Sequence, residues 1–405
     1  MNHVIVIGGG AAGLAACISA AREGAKVTLL EKNDRVGKKI LSTGNGKCNL
    51  SNDRISPDHY HSDSDRESFL RFCERLETSE DLVFFESIGI IPCKRGDLYY
   101  PSSEQAASVL DALRFEAEAL GVLVRTEREM TRDTIRKEVS EPFRKDDSVR
   151  VILATGGAAA PKTGSDGKGI FLAESLAGSD RKLSTIPFVP ALVPIEVQSK
   201  PFLKNWAGVR VNGRITVEGT EVSSEGQLQL TDYGVSGIPA FQVSRAISRR
   251  LKSEPGAGLG VVLDLCTERE LSELADLILN MKGHAPLLSG LLPKKLGEVI
   301  LKESGISVNL RAGEVSEAQA EKIAEKIKHF VLPVKGTKGF DMAQVSAGGI
   351  CLEELNENDW SLKKEPRIYV IGELADLDGD CGGYNLHHAW ISGIAAGRSA
   401  ARSER

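Results

Sequence analysis

The apolar run Val4–Ile7 passes straight into Gly8-Gly9-Gly10-Ala11-Ala12-Gly13, and this junction limits the fold more than any other stretch of the chain. An apolar strand that turns through glycine into an Ala-rich segment reads as strand, turn and helix. The helix is expected over about residues 11 to 23, ended by Gly24, with KVTLL as a second strand. Gly8, Gly10 and Gly13 fit GxGxxG, in which the glycines permit a tight turn, close backbone approach and close helix packing. In that setting the helix N-terminus faces a pyrophosphate. Glu31 ends the second strand, where a carboxylate accepts hydrogen bonds from ribose hydroxyls. Its charge repels a 2′-phosphate, which speaks against NADP and leaves NAD and FAD open.

At 405 residues with 41% hydrophobic content the chain is long enough for at least two domains. A net charge of −5 argues against a broad basic face for nucleic acid. No run approaches the roughly 20 apolar residues of a membrane span, so a cytoplasmic location is expected. The seven cysteines are scattered and never form CxxC, which suggests neither a disulfide framework nor a zinc site. No HxxxH spacing or GxSxG elbow occurs, so neither a metal site nor a hydrolase is expected.

Further along, residues 33 to 60 read as a long glycine-, asparagine- and lysine-rich loop. Phe69, Phe72, Leu76, Leu82 and Phe85 suit amphipathic helices, and Ser102 with Gln105 predicts a capping box for a helix ending at Gly121. VLVRTE follows as a strand. The charged segment 125 to 150 is expected to be a solvated strand meander on the sheet edge. Three prolines (187, 190, 194) place a boundary near residue 190. Beyond it, strand patterns (LVPIEV, VRVNGRITVEG, QLQL, LGVVLDL) surround one helix over 238 to 252. Residues 267 to 330 read as helical, with capping boxes at Thr267/Glu270 and Ser316/Gln319. VLPV, DMAQV, GICLE and RIYVIG read as strands before a last helix, about 384 to 402.

ATGG at 154 to 157 and IGELADLDGDCGGYN at 371 to 385 give two more turns where backbone can meet a dinucleotide. Three separated turns suit an extended FAD. Glu373 would accept from sugar or ribitol hydroxyls, and the N–H groups of Gly383, Tyr384 and Asn385 would face the flavin pyrimidine end.

The segments VGKKILSTGNGKCNLSN (36 to 52), ATGGAAAPKTGSDGKG (154 to 169), TDYGVSGIPA (231 to 240), AQVSAGGI (343 to 350) and GDCGGYN (379 to 385) occur in order along nearly the whole chain. Together they resemble the bacterial FAD flavoproteins that include aminoacetone oxidase and a bile-acid dehydro-reductase. The resemblance implies an α/β fold: a Rossmann-type FAD-binding domain (1–190 plus 336–405), an inserted β-barrel-like module (191–266 plus 328–335) and an inserted helical module (267–327).

It also places a loop from Lys38 to Asn49 against the isoalloxazine ring. Gly44, Gly46, Lys47, Cys48 and Asn49 match that loop, although Lys47 stands where Arg is common, which removes a bidentate fork. The expected non-covalent FAD contacts are then Gly8, Gly10, Ala11, Ala12, Gly13, Glu31, the five loop residues, Thr155, Gly156, Gly157, Gly372, Glu373, Gly383, Tyr384 and Asn385, with Lys32, Lys39 and Val124 completing the set. Tyr384, His387 and Lys47 are candidates for catalytic roles, with a surface or supporting role for the histidine weighed against them. Cys48 and Cys381 invite a dithiol relay, but packing is the preferred reading.

The expected activity is hydride transfer between a small organic substrate and flavin N5, as amine oxidation or as NAD(P)H-dependent reduction of a conjugated carbonyl compound. NAD(P)H would visit transiently, since only one GxGxxG is present. The alternative is an FAD protein that modifies or binds RNA, for which KKLGEVILK (294 to 302) and RAISRRLK (245 to 252) are the available basic faces.

Overall fold

Strand β1 (His3–Ile7) is central because its residues from Val4 to Ile7 are apolar on both faces, and all four are buried. The computed structural model describes residues 1–178, 182–256 and 258–402. In it, β1 pairs in parallel with β2 (Lys26–Leu30) and with β8 (Val149–Leu153). The six-stranded order is β17 (Ser361–Leu362), β18 (Glu365–Val370), β8, β1, β2, β7 (Leu123–Arg125), and only the β17–β18 pair is antiparallel. Ile7 lies level with both Leu30 and Leu153. The turns beginning at Gly8, Glu31 and Ala154 therefore leave from one edge, where doubly wound sheets bind ligands.

Helix α1 (Ala11–Arg22) follows the glycine turn as expected, and α14 (Tyr384–Arg402) packs on it. Glycine makes the crossing close: a Cβ on Gly393 would lie 2.4 Å from the Ala12 carbonyl oxygen, and one on Gly397 2.4 Å from that of Ala16. The loop region is shorter than expected, holding a 3-10 turn at Ile40–Gly46, β3 (Ser51–Asn52) and β4 (Tyr60–His61). β3 joins β6 (Leu98–Pro101) and β5 (Pro92–Arg95), while β4 pairs with β19 (Asp378–Gly379).

Helices α2 (Arg66–Leu76) and α3 (Glu80–Ser87) bury Phe69, Phe72, Leu76 and Phe85. α4 (Ala106–Ala119) starts without the predicted capping box, because Gln105 is its N-cap and makes no side-chain bond to the helix. The charged segment is helical rather than a strand meander: α5 (Arg132–Ile135), a π turn (Arg136–Ser140) and α6 (Glu141–Lys145). Thr131 caps it, and Ile135, Val139 and Phe143 bury one face at four-residue spacing, a period hidden by the surrounding charge. After α7 (Gly169–Ala177), β9 (Thr185–Ala191) pairs with β16 (Val345–Ile350).

The chain divides into one unit of residues 1–189 with 344–405 and another of 190–343. The second holds a closed antiparallel barrel, β10 (Ile195–Val197), β13 (Gly234–Ser236), β12 (Ser223–Leu230), β11 (Arg210–Val217), β14 (Gly260–Asp264) and β15 (Phe330–Thr337). Ile195, Ile215, Leu228, Val261 and Leu332 are among its buried residues. Its helices are α8 (Leu203–Trp206), α9 (Ile238–Ser253), α10 (Leu271–Leu279), α11 (Lys294–Glu303), α12 (Glu317–Lys328) and α13 (Gly339–Met342).

Three expectations shift here. The Ser316/Gln319 box forms, but α10 is boxed by Glu270 and Glu273, because the Thr267 hydroxyl donates to Glu225 Oε1 instead. β15 continues to Thr337, so a boundary at 335/336 falls inside a barrel strand. DMAQV is no strand: α13 covers its start, and β16 begins at Val345. Among the described residues no helix is long and apolar enough to cross a membrane.

Candidate functional site

The GxGxxG turn has two walled glycines and one open one. A Cβ on Gly8 would sit 2.4 Å from the Ala154 carbonyl oxygen, and one on Gly13 1.9 Å from that of Gly8. A Cβ on Gly10 would meet nothing within 4 Å. Gly10 is also the N-cap of α1 and supplies no side-chain cap, so no side chain from this position covers the free N–H groups of the helix start. That is the cradle an incoming pyrophosphate requires.

Glu31 stands beside it and is buried. Its Oε2 accepts from Gly9 N–H at 2.8 Å, and its Oε1 accepts from the backbone and side-chain nitrogens of Asn33, both at 2.8 Å. The carboxylate thus locks the glycine turn while retaining acceptor capacity for hydroxyls. Asn33 also donates to the Thr163 carbonyl, tying the 160–168 loop to this end. Lys32 pairs with Asp166 at 2.9 Å. Val124 is 41% exposed on β7, level with Leu29.

The second and third turns meet each other. Glu373 Oε2 pairs with Lys39 at 2.9 Å, and Oε1 accepts from Ser346 N–H at 3.0 Å. The Ser346 hydroxyl accepts from Ala158 and Ala159 N–H, both at 2.8 Å. A Cβ on Gly157 would lie 2.7 Å from both Glu373 and Ser346. Ser346 is a site residue that sequence reasoning misses, although it lies inside the AQVSAGGI segment. Gly372 lies over α1, its Cβ position 3.1 Å from the Ala12 Cβ.

In the 44–49 loop Gly44, Asn45, Gly46 and Cys48 all have positive φ, between 54° and 84°. Lys47 is exposed and paired with Glu104 at 2.7 Å, which holds its ammonium above the usual range. It makes one ion pair and no fork. The Asn49 amide satisfies its surroundings when its oxygen accepts from Gly383 N–H and its nitrogen donates to the Tyr99 and Ser51 carbonyls. Gly383 N–H is therefore already bound, contrary to the expectation that it faces a cofactor. Tyr384, Asn385 and Leu386 begin α14 and have no intrahelical partners for their N–H groups. The Asn385 side chain bonds the backbone of Gly379, bracing the turn before the helix.

Burial pushes the thiols of Cys48 and Cys381 up to about 12, so both stay protonated at neutral pH and a dithiol relay lacks its thiolate. The Tyr384 ring is buried, stacked on His59 at 4.6 Å, and its phenol is pushed to about 12 by burial and then by Asp380. His59 and His61 both reach Asp380, at 3.1 and 2.9 Å.

His387 is neither a surface residue nor free to reach a substrate. It is wholly buried, with Nδ1 facing Asp81 Oδ2 and Ser51 Oγ, and Nε2 facing the Leu76 carbonyl. A nucleophilic serine would need the histidine nitrogen opposite the carboxylate, whereas Ser51 and Asp81 converge on the same one. His388 is equally buried, against Trp360, and burial drops it to about 3. Among the described residues no group of three His, Cys, Asp or Glu is placed to hold a metal.

The model of the HI0933-like protein Rossmann domain matches residues 2–399. The chain is 39% identical to the 3-dehydro-bile acid delta(4,6)-reductase of Clostridium scindens, with 99% of each chain covered. It is 30% identical to the ribosomal RNA dihydrouridine synthase of Escherichia coli K12, with 96% of each covered. Among solved structures, a 3-ketosteroid-delta4-(5alpha)-dehydrogenase from Rhodococcus jostii RHA1 aligns with a TM-score of 0.48 and 18% identity, covering 99% of this chain and 97% of that one. The chain belongs to the HI0933-like Rossmann-domain family.

Proposed function

We propose that this protein is an FAD-dependent oxidoreductase that reduces a carbon–carbon double bond conjugated to a carbonyl group, drawing electrons from NADH or NADPH. The observation that carries the reading is the open Gly10 cradle between walled Gly8 and Gly13, with the Glu31 carboxylate on the same sheet edge. Backbone N–H groups there bind a pyrophosphate, and Glu31 takes the ribose hydroxyls. The Lys39–Glu373–Ser346 network lies where a long dinucleotide continues, and the start of α14 closes its far end. These residues fit FAD, and the expected contact set stands as the proposed one, with Gly383 acting through Asn49 rather than through its own N–H. Bound FAD supplies hydride chemistry at flavin N5.

The reaction class comes from the two relatives together. A bile acid and ribosomal RNA are unlike molecules, yet a 3-oxo bile acid unsaturated at carbon 4 or 6 and a uracil ring share one reactive group, an alkene conjugated to a carbonyl. Amine oxidation lacks that support. The closer relation to the bile-acid enzyme and the net charge of −5 favour a small apolar substrate over RNA. Tyr384 keeps its phenolic proton at neutral pH, and the protonated thiols of Cys48 and Cys381 leave the electrons to the flavin.

The test is anaerobic stopped-flow on the purified protein, following the visible absorbance of the flavin. Bleaching by NADH or NADPH, then recovery on adding a 3-oxo-4-ene bile acid, is the expected sequence. Recovery with uridine-containing ribosomal RNA alone would move the substrate to RNA. Bleaching by aminoacetone with peroxide formed in air would make it an amine oxidase, and protein purified without flavin would overturn the reading.

A further inference from the structure

Ser51, Asp81 and His387 are 2%, 0% and 0% exposed, and nothing in the proposed reaction uses them directly. They come from β3, α3 and the first turn of α14. His387 Nε2 lies 2.8 Å from the Leu76 carbonyl oxygen, which can only accept, so this nitrogen carries a proton. Nδ1 lies 2.9 Å from Asp81 Oδ2 and 2.8 Å from Ser51 Oγ. A bare Nδ1 would set its lone pair against a carboxylate oxygen. One proton is therefore shared between Nδ1 and Asp81. Asp81 Oδ1 has no hydrogen-bond partner and no exposure, so an ionised Asp81 has the imidazolium as its compensating charge.

The same face of α14 holds the neighbouring segment in three places. Gly383 N–H donates to Asn49, His387 meets the Ser51 hydroxyl, and Trp390 Nε1 donates to the Leu50 carbonyl at 3.1 Å. Positions 383, 387 and 390 follow the four- and three-residue spacing of one helix stripe. A Cβ on Gly383 would lie 2.7 Å from the Ser51 carbonyl oxygen, so the two backbones touch.

We propose that the Asp81–His387 pair is a positioning device for the flavin. It fixes residues 48 to 52 against the start of α14, and its imidazolium end adds to the positive field of that helix N-terminus, favouring the anionic reduced flavin. This rests on the FAD reading above. Removing either partner should discharge the other, because a lone buried charge is costly. The pair then acts as a unit, and its two single variants should not add.

The experiment is the two-electron potential of bound flavin in wild type, Asp81→Asn, His387→Gln and the double variant. Each is expected to lower the reduced-to-oxidised ratio at a fixed poise about tenfold, a shift of about 30 mV, with the double no larger than the singles. Flavin bound at an unchanged potential, or additive shifts, would overturn this inference alone. Wild-type protein purified without flavin would overturn the functional reading with it. Should the variants not fold, wild type labelled with 15N-histidine decides: one ring must show slowly exchanging protons on both nitrogens, and their absence refutes the shared proton.

Discussion

Gly10→Asp separates the cofactor cradle from the fold. Gly10 has φ −82° and ψ −164°, which any residue adopts, and its Cβ position is empty to 4 Å. It is the N-cap of a 12-residue helix with no side-chain cap, where aspartate is preferred over glycine by a few tenths of a kcal/mol. The apo protein should therefore melt at the same temperature as wild type or slightly above it. The new carboxylate, however, occupies the space proposed for the pyrophosphate. Two unit charges about 4 Å apart at an effective dielectric of about 20 repel by about 4 kcal/mol, so FAD affinity should fall about 10³-fold. Circular-dichroism melting of the apo protein and a flavin-fluorescence titration measure the two quantities separately. Gly13→Ala is the contrasting control, since its methyl would meet the Gly8 carbonyl at 1.9 Å and should cost stability and flavin together. Wild-type flavin content in Gly10→Asp would refute the placement of the pyrophosphate.

Other perturbations test separate parts of the site. Glu31→Ala leaves buried Gly9 N–H without its acceptor, a loss of about 1–3 kcal/mol, and should weaken flavin binding about 10-fold or more by the same titration. Gly397→Leu drives a side chain into the Ala16 backbone and should lower Tm by several degrees; an unchanged melt would mean α1 and α14 do not cross as described. His388, held at about 3 by burial, stays neutral in the fold and takes a proton when unfolded. The unfolded chain thus binds more protons between about pH 6.5 and about 3, and stability falls as pH drops through that window, by up to about 1.4 kcal/mol per unit. His388→Phe should flatten that slope in urea titrations stepped from neutral to mildly acidic pH. Cys48 should resist iodoacetamide at mildly alkaline pH in the native state and react after unfolding, read by peptide mass spectrometry.

Where a turn type or a period dominates locally, the sequence is legible. Gly8, Gly10 and Gly13 announce the cradle because only glycine fits two of those positions, and Ser316 with Gln319 announces α12 because both side chains are free to cap. Legibility fails where tertiary partners compete for the same groups. Thr267 reads as a cap but spends its hydroxyl on Glu225, forty-two residues away in sequence. The helices from Arg132 to Lys145 hide behind surface charge, since Ile135, Val139 and Phe143 are three apolar residues among many ionic ones. Asp81 gives no signal at all: it is one acid on an amphipathic helix, and only the fold reveals that it faces His387.

The same competition changes how the GDCGGYN turn should be understood. Read alone, its glycines offer N–H groups to a cofactor. In the structure Gly383 gives its N–H to Asn49, its Cα faces the Ser51 carbonyl, and its positive φ of 97° excludes a side chain. That glycine is required by the contact between two segments of the chain, and the N–H groups without intrahelical partners are those of Tyr384, Asn385 and Leu386 at the helix start. A substitution at Gly383 would thus act first on how residues 49 to 51 are held. Its effect on flavin would follow through Ser51 and His387, which is why loss of flavin in such a variant identifies no contact with the cofactor.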